Sequence, residues 1–334
     1  MGTPDARKFY DPTWIRDSFQ RNADKILDTP QKKHNAKIAV GVIGGGLGLF
    51  VSYKLYRCIR EHYTADVQTL KGIDTPVKVK LISKKAVTAD TRRLRFALPT
   101  PHHTVGVPPG NFLAVTADIN GKTETRFYTP IDGEHDDRGH MDLLVKIYPP
   151  TPEFPGGGAM SQYLEHLKIG DEISISGPAG LIMYMGNGIF DIKANPKSSP
   201  ISKTVRRIGM VAGGSGVSAM IPILHKMLNE KSETPKCSLL STNKTEKDII
   251  LGDELTKMAS KHRHRLRVWY TVDQPICKDW KYGVGMVGAE LLRDWMPKPE
   301  GSVLILLCGP KAMVDACKAD LRSLHYTEDM IFAF

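Results

Sequence analysis

Arg206–Glu230 reads RRIGMVAGGSGVSAMIPILHKMLNE. A continuous apolar run, a glycine cluster and a second apolar-rich run follow one another without a break. The first run has the length and continuity of a strand buried on both faces. Ser218–Glu230 carries on as a helix. Between them Gly213, Gly214 and Gly216 allow a tight turn and close approach of a dinucleotide at the carboxyl end of the strand. The alternation then repeats downstream. CSLLSTN (237–243) and LRVWYTVD (266–273) read as strands with the helix DELTKMASKH (253–262) between them, and SVLILLCGP (302–310) precedes the helix KAMVDACKADLRSL (311–324). Strand–helix alternation of this kind predicts a doubly wound α/β domain on a parallel sheet over residues 205–334.

Upstream the texture is different. VKVKLISKKAV, RLRFAL, NFLAVTADI, TRFYTPI, MDLLVKIY and DEISISG lie between Val77 and Gly177 and alternate apolar with polar residues, as half-buried strands do. Asn120-Gly121 marks a hairpin turn. The pattern predicts a small antiparallel β-barrel over residues 74–184. Residues 185–204, rich in Gly, Pro and Ser, read as a connector between the two domains.

The N-terminal region belongs to neither domain. Residues 1–36 mix both signs of charge, which argues against a cleaved mitochondrial presequence. Asp11-Pro12 followed by Ile15, Phe19, Ala23 and Ile26 suits a short amphipathic helix, on the surface or docked on another subunit. Ile38–Tyr53 runs sixteen residues without a charge. At ~1.5 Å per residue it reaches ~24 Å. Snorkelling by Lys37 and Lys54 would extend it to the ~30 Å hydrocarbon core. Residues 37–56 therefore predict a single membrane span, with 57–73 as a linker. Its five glycines, including Gly41-xxx-Gly45 and Gly44-xxx-Gly48, suit close packing against a partner helix, in which case residues 1–56 also contact a larger membrane assembly.

Composition narrows the field. The 334 residues are 41% hydrophobic and 25% charged, with a formal net charge of +10. That excludes a disordered or polytopic membrane chain and favours anionic partners. The basic residues are dispersed, so no nucleic acid is expected. Five cysteines without a C-x-x-C pair, and the isolated pairs His102/His103 and His262/His264, give no metal site and no disulfide framework.

Four motifs carry chemistry. Arg126-Phe127-Tyr128-Thr129-Pro130 sets a cation, an aromatic face and a hydroxyl at a strand end, where Arg can clamp a pyrophosphate. Gly156-Gly157-Gly158-Ala159-Met160-Ser161 leads glycines into a helix start, a natural phosphate site. Ala212–Ser218 is the dinucleotide turn already described. Cys308-Gly309-Pro310 ends the last apolar strand on the same sheet edge.

In this order and spacing the motifs resemble the ferredoxin-reductase-like FAD/NAD flavoenzymes, and more narrowly the NADH-cytochrome b5 reductase family. The resemblance runs from about Asp74 to Phe334 and includes FPGGGAMSQYLEHLKIGD, GPAGLIMY, NKTEKDIIL and LLCGPKAM. It implies an oxidoreductase that passes hydride from NADH to FAD and then single electrons to a haem protein such as cytochrome b5. By position, Arg126, Tyr128 and Thr129 match the flavin-binding motif, and Lys146 and Tyr148 match residues beside flavin and nicotinamide. Gly158, Met160 and Ser161 match the flavin pyrophosphate cradle. Gly213, Gly214, Gly216 and Ser218 match the NADH loop, Cys308, Gly309 and Pro310 the nicotinamide surroundings, and Phe334 the terminal aromatic. Thr129, Lys146 and Cys308 are the residues this assigns to catalysis. Asp273 matches an acidic residue that favours NADH over NADPH, since a carboxylate suits ribose hydroxyls and repels a 2′-phosphate. Gly110-Asn111-Phe112 replaces the family's Gly-Gln-His, and Asp132, Ala219 and Met286 also depart from its pattern. These departures bear on proton release and acceptor choice. They leave open a reductase for a quinone or other membrane acceptor, or a reductase fold recruited as an accessory subunit of a larger, for instance respiratory, complex. A single-pass location in the mitochondrial or endoplasmic-reticulum membrane is expected.

Overall fold

The computed structural model describes residues 67–131, 138–230 and 235–334. The expected docking helix, the Ile38–Tyr53 span and Asp132 lie outside the described residues. Among those described, no helix is long and apolar enough to cross a membrane.

The N-terminal half of the described chain is antiparallel apart from one two-residue parallel pair, Val67–Gln68 with His103–Thr104. Its strands are β1 (Val67–Gln68), β2 (Gly72–Thr88), β3 (Thr91–Ala97), β4 (His103–Thr104), β5 (Phe112–Ile119), β6 (Lys122–Tyr128), β7 (His140–Lys146) and, after helix α1 (Ala159–His166), β8 (Glu172–Ala179). Six of them form one sheet in the order β6-β5-β8-β2-β3-β7. A bridge from Pro130 to Leu143 and the Ile131 N–H to the Asp142 carbonyl (3.0 Å) bring its two edges together into a barrel. Asn120 and Gly121 both have positive φ and join β5 to β6, the type I′ geometry that matches strand twist. Alternation sets the interior: Leu94 and Phe96, Leu113 and Val115, Met141, Leu143 and Val145, Ile173 and Ile175 point inward. Met160 and Leu164, one turn apart on α1, join the same core.

The stretch expected to be a plain connector has strands of its own. β9 (Ile182–Gly186), β10 (Ile189–Ile192) and β11 (Ile201–Thr204) make a three-stranded antiparallel sheet. Its Tyr184 and Phe190 are fully buried, with ring centroids 4.9 Å apart.

The C-terminal half is doubly wound. β12 (Arg207–Gly213), α2 (Val217–Asn229), β13 (Lys236–Asn243), α3 (Gly252–Lys261), β14 (Leu266–Val272), β15 (Gly283–Val284), α4 (Ala289–Trp295), β16 (Val303–Cys308), α5 (Lys311–Ser323) and β17 (Ile331–Ala333) follow in order. The sheet is parallel, ordered β15-β14-β13-β12-β16-β17. The chain starts in the middle, winds to one side through β14 and β15, and returns to the other side through β16. The crevice where such sheets bind ligands therefore lies at the carboxyl ends of β12 and β16. β12 and β16 are nearly continuous buried apolar strands because helices cover both faces.

The two halves share a core. Ile131 and Leu144 of the barrel are buried in one cluster with Val217, Met220 and Leu224 of α2. β7 alternates accordingly: Met141, Leu143 and Val145 face the barrel interior, while Asp142, Leu144 and Lys146 face outward. β7 also runs against the Gly214–Gly216 turn.

Candidate active site

The crevice at the carboxyl ends of β12 and β16 is lined by glycines with two separate duties. A Cβ on Gly216 would sit 2.2 Å from the Cys308 carbonyl oxygen. One on Gly309 would lie 3.0 Å from Gly213 Cα, and one on Gly213 would lie 2.8 Å from the Pro310 ring. These three glycines let the two sheet turns pack backbone on backbone. Gly214 is different: its φ is +52° and nothing lies within 4 Å of its Cβ direction. It is the member of the cluster that leaves room for a ligand. Helix α2 begins directly behind it without a side-chain cap and without an acid in its first turn. Ser218 turns its hydroxyl back onto the Ser215 carbonyl (2.9 Å). The Val217 N–H turns back onto the Gly214 and Ser215 carbonyls, so the positive end of the helix dipole, with no acid beside it, is what faces an anion here.

The barrel supplies a second site of the same kind. Helix α1 starts at Gly158, again without a side-chain cap or an acid in the first turn. Its entry loop is tied to the Tyr148 backbone: the Gly158 N–H donates to the Tyr148 carbonyl (2.8 Å) and the Tyr148 N–H to Ser161 Oγ (3.1 Å). Ser161 in turn donates to the Gly158 carbonyl (2.8 Å). Ser161 thus shapes the loop, and Met160 is buried in the barrel, so backbone amides are what this loop presents. A Cβ on Gly158 would come within 2.6 Å of Ser161 Oγ, so the loop closes only around glycine.

Arg126 and Tyr128 share one face of β6. The Arg126 guanidinium is half exposed, 3.0 Å from Glu124. Burial pushes the Tyr128 hydroxyl up to about 12, so it stays protonated and able to donate. Thr129, half-buried, precedes the Pro130–Leu143 bridge that carries the end of β6 onto β7. Phe112, at the start of β5, packs on the exposed ring of Phe127, centroids 4.9 Å apart, so the position where a His was expected is part of an aromatic pair. Lys146 ends β7 in an ion pair with Asp90 (2.7 Å). Tyr148 is exposed beside the α1 loop.

On the sheet side, desolvation pushes the half-buried Cys308 thiol up to about 11, so it is neutral and unsuited to act as a thiolate. Asp273 stands exposed just past β14, its N–H on the Asn243 carbonyl (3.1 Å). Phe334 follows β17, its N–H on the Leu307 carbonyl (3.0 Å) and its ring 5.3 Å from Phe332. Met286 is almost wholly exposed. The fold therefore gathers Gly213–Ser218, Asp273, Cys308–Pro310 and Phe334 on one sheet edge. Arg126–Thr129 and the Tyr148–Ser161 loop lie on the barrel.

Sequence reading missed two carboxylates. Asp142 is buried on the outward face of β7 and accepts from Arg93 Nε (2.7 Å) and from Arg95 Nε and Nη2 (2.7 and 2.8 Å). Arg93 also reaches Glu254 on α3 (3.5 Å), which links barrel to sheet. Asp90 is the other. A signal existed for the first: R-x-R in RLRFAL and the lone acid in MDLLVK fall on the same outward register.

Two glycine-led, uncapped helix starts with an exposed Arg beside one of them fit two dinucleotides. Residues 78–184 match the family described as the oxidoreductase FAD-binding domain, and residues 210–319 the oxidoreductase NAD-binding domain. Fold and site thus define a two-domain flavoprotein, an NADH-dependent FAD oxidoreductase. The chain is 40% identical to mouse NADH-cytochrome b5 reductase 3 over 285 residues, covering 84% of this chain and 94% of the mouse protein. It is 39% identical to human NADH-cytochrome b5 reductase 1 over 302 residues, 90% of this chain and 97% of the human one. The cytochrome b5 reductase domain of Ulva prolifera nitrate reductase superposes with a TM-score of 0.73 at 30% identity, over 80% of this chain and all of that domain. The chain belongs to the NADH-cytochrome b5 reductase family.

Proposed function

We propose that the protein is a membrane-anchored reductase that takes hydride from NADH and passes electrons singly to a haem protein of the cytochrome b5 kind. The NADH-to-FAD part of this reading is supported by the pair of uncapped, glycine-led helix starts: α1 and the Gly214–Gly216 turn that leads into α2 both meet β7. FAD, when bound, supplies the two-electron to one-electron conversion. The chain's own residues bind and orient. Arg126 and the α1 amides hold the flavin pyrophosphate, while Tyr128 and Thr129 hold the ring end. Gly214 and the positive N-terminal end of α2 hold the NADH pyrophosphate, and Asp273 selects the free ribose hydroxyl. Cys308, Gly309, Pro310 and Phe334 wall the nicotinamide side, and Lys146 and Tyr148 stand between the two groups.

Ile38–Tyr53 is the anchor, in the mitochondrial or endoplasmic-reticulum membrane, and Lys33, Lys37, Arg57, Arg60 and Lys71 offer positive charge to an acidic acceptor near it. A second reading, an accessory subunit of a larger membrane complex or a reductase for a quinone, is favoured by the Phe112–Phe127 pair, which puts apolar rings at the position where the family pattern has His.

The test uses full-length protein and a version starting at Asp66, which keeps β1, the buried Leu70 and all of β2. With NADH, the full-length protein should reduce cytochrome b5 and co-float with lipid vesicles. The shortened one should keep NADH reduction of a small artificial acceptor and lose flotation. Flotation of the shortened protein, or no transfer to cytochrome b5, would count against the anchor and the acceptor respectively.

A further inference from the structure

Lys146 sits on the outward face of β7, two residues beyond Leu144, which is buried among α2 side chains. A lysine there carries a long flexible stem, and holding its ammonium in one place costs side-chain entropy. The hairpin tip between β2 and β3 supplies the restraint. Asp90 accepts from Lys146 Nζ at 2.7 Å, from Thr88 Oγ1 at 3.0 Å and from Thr91 Oγ1 at 3.1 Å. Its backbone carbonyl accepts the Ile147 N–H at 2.7 Å. Thr91, fully buried, is the direct register partner of Lys146. The carboxylate is therefore fixed at both backbone and side chain before it meets the ammonium. Burial alone would push the Asp90 carboxyl up. The Lys146 ammonium and the two hydroxyls outweigh it and hold the group below the usual carboxylate range.

We infer that Asp90 is a positioning residue for NADH binding: it holds Lys146 preorganised at the junction of the barrel and the Gly214–Gly216 turn. The inference rests on the proposed role of Lys146 at that junction. In this role Asp90 acts through Lys146. Restraining one rotamer-rich side chain in advance removes that ordering from the binding step. The same turn also fixes Ile147, and Tyr148 holds the α1 loop, so the hairpin tip steadies both dinucleotide sites from outside.

The experiment is a double-mutant cycle on the full-length, FAD-loaded protein with Asp90→Asn, Lys146→Ala and the pair. The readouts are KM and kcat for NADH with a small artificial acceptor, and NAD+ affinity by titration calorimetry. Asp90→Asn should raise KM and weaken NAD+ about 2- to 13-fold, the range expected for immobilising one such side chain, with kcat little changed. In the Lys146→Ala background the same change should have no effect on either. Unchanged or tighter NAD+ binding in Asp90→Asn would overturn the inference. So would an equal loss in the Lys146→Ala background, which would mark Asp90 as a structural turn residue. If Lys146→Ala alone leaves KM and NAD+ affinity untouched, the role of Lys146 is wrong and the inference falls with it.

Discussion

Gly216→Ala should abolish efficient use of NADH while leaving FAD in place. Gly216 has ordinary helical dihedrals, so the cost is purely one of space. The new methyl would lie 2.2 Å from the Cys308 oxygen and 2.5 Å from its carbon, and these are backbone atoms of the sheet's last apolar strand. Neither side has a flexible end that can give. The β12–α2 turn must move by about 1 Å, and misplacement of that size costs on the order of 100-fold in rate. We expect kcat/KM for NADH to fall by about that factor, with stability reduced by about 1–3 kcal/mol from overpacking. The flavin cradle, built on α1 and β6, is elsewhere, so the purified variant should remain yellow. Gly288→Ala is the control, because nothing lies within 4 Å of its Cβ direction. Steady-state kinetics and thermal melts of the two variants check this. Wild-type kinetics in Gly216→Ala would mean that the two turns do not need their close contact.

The second large effect is expected at Asp142. Its carboxylate is buried and shared by Arg93 and Arg95, both partly exposed. Burial alone would push it up; the hydrogen bonds and charges of the two arginines outweigh that and hold it below the usual range. A carboxyl with a depressed folded-state value contributes stability that is fully present above its unfolded value, ~3.9, and is lost as pH falls through the folded value. Removing one partner of a buried pair costs ~3–5 kcal/mol, and the exposure of the arginines places Asp142→Asn toward ~2–3 kcal/mol. The wild type should therefore melt at falling temperature as pH drops below about 4. Asp142→Asn should start lower at neutral pH and show a shallower acid slope. Equal slopes in the two proteins would show that Asp142 does not carry the acid sensitivity. Because Arg93 also reaches Glu254 on α3, the variant should loosen the junction of barrel and sheet as well as the barrel itself.

What was legible in the sequence was local. Ile208–Ala212 and Val303–Leu307 announce buried parallel strands because every residue is apolar, and Leu113, Val115, Met141, Leu143 and Val145 announce barrel strands because every second one is. Asn120-Gly121 and the two glycine-led helix starts are short motifs whose geometry needs only a few residues. Long-range partnerships left less trace. Asp142 meets Arg95 across 47 residues and Arg93 across 49; each motif shows its outward register, but no spacing rule pairs one with the other. The same holds for Asp90 and Lys146. In residues 185–204 the Gly, Pro and Ser content hid strands only four residues long, whose burial comes from Tyr184 and Phe190 packing together rather than from periodicity. The glycines of AGGSG were legible as a cluster. Their division of labour was not: Gly213 and Gly216 owe their small size to the Cys308–Pro310 turn, and only Gly214 opens to a ligand.

This chain is an FAD protein reduced directly by NADH. Anaerobic titration of the purified full-length protein with NADH, followed by flavin absorbance, tests it most directly. The flavin released afterwards by denaturation is identified by chromatography. The flavin band should be lost at about one NADH per flavin, and the released cofactor should co-elute with FAD. A protein without flavin, or a flavin band that NADH leaves unchanged, would contradict it.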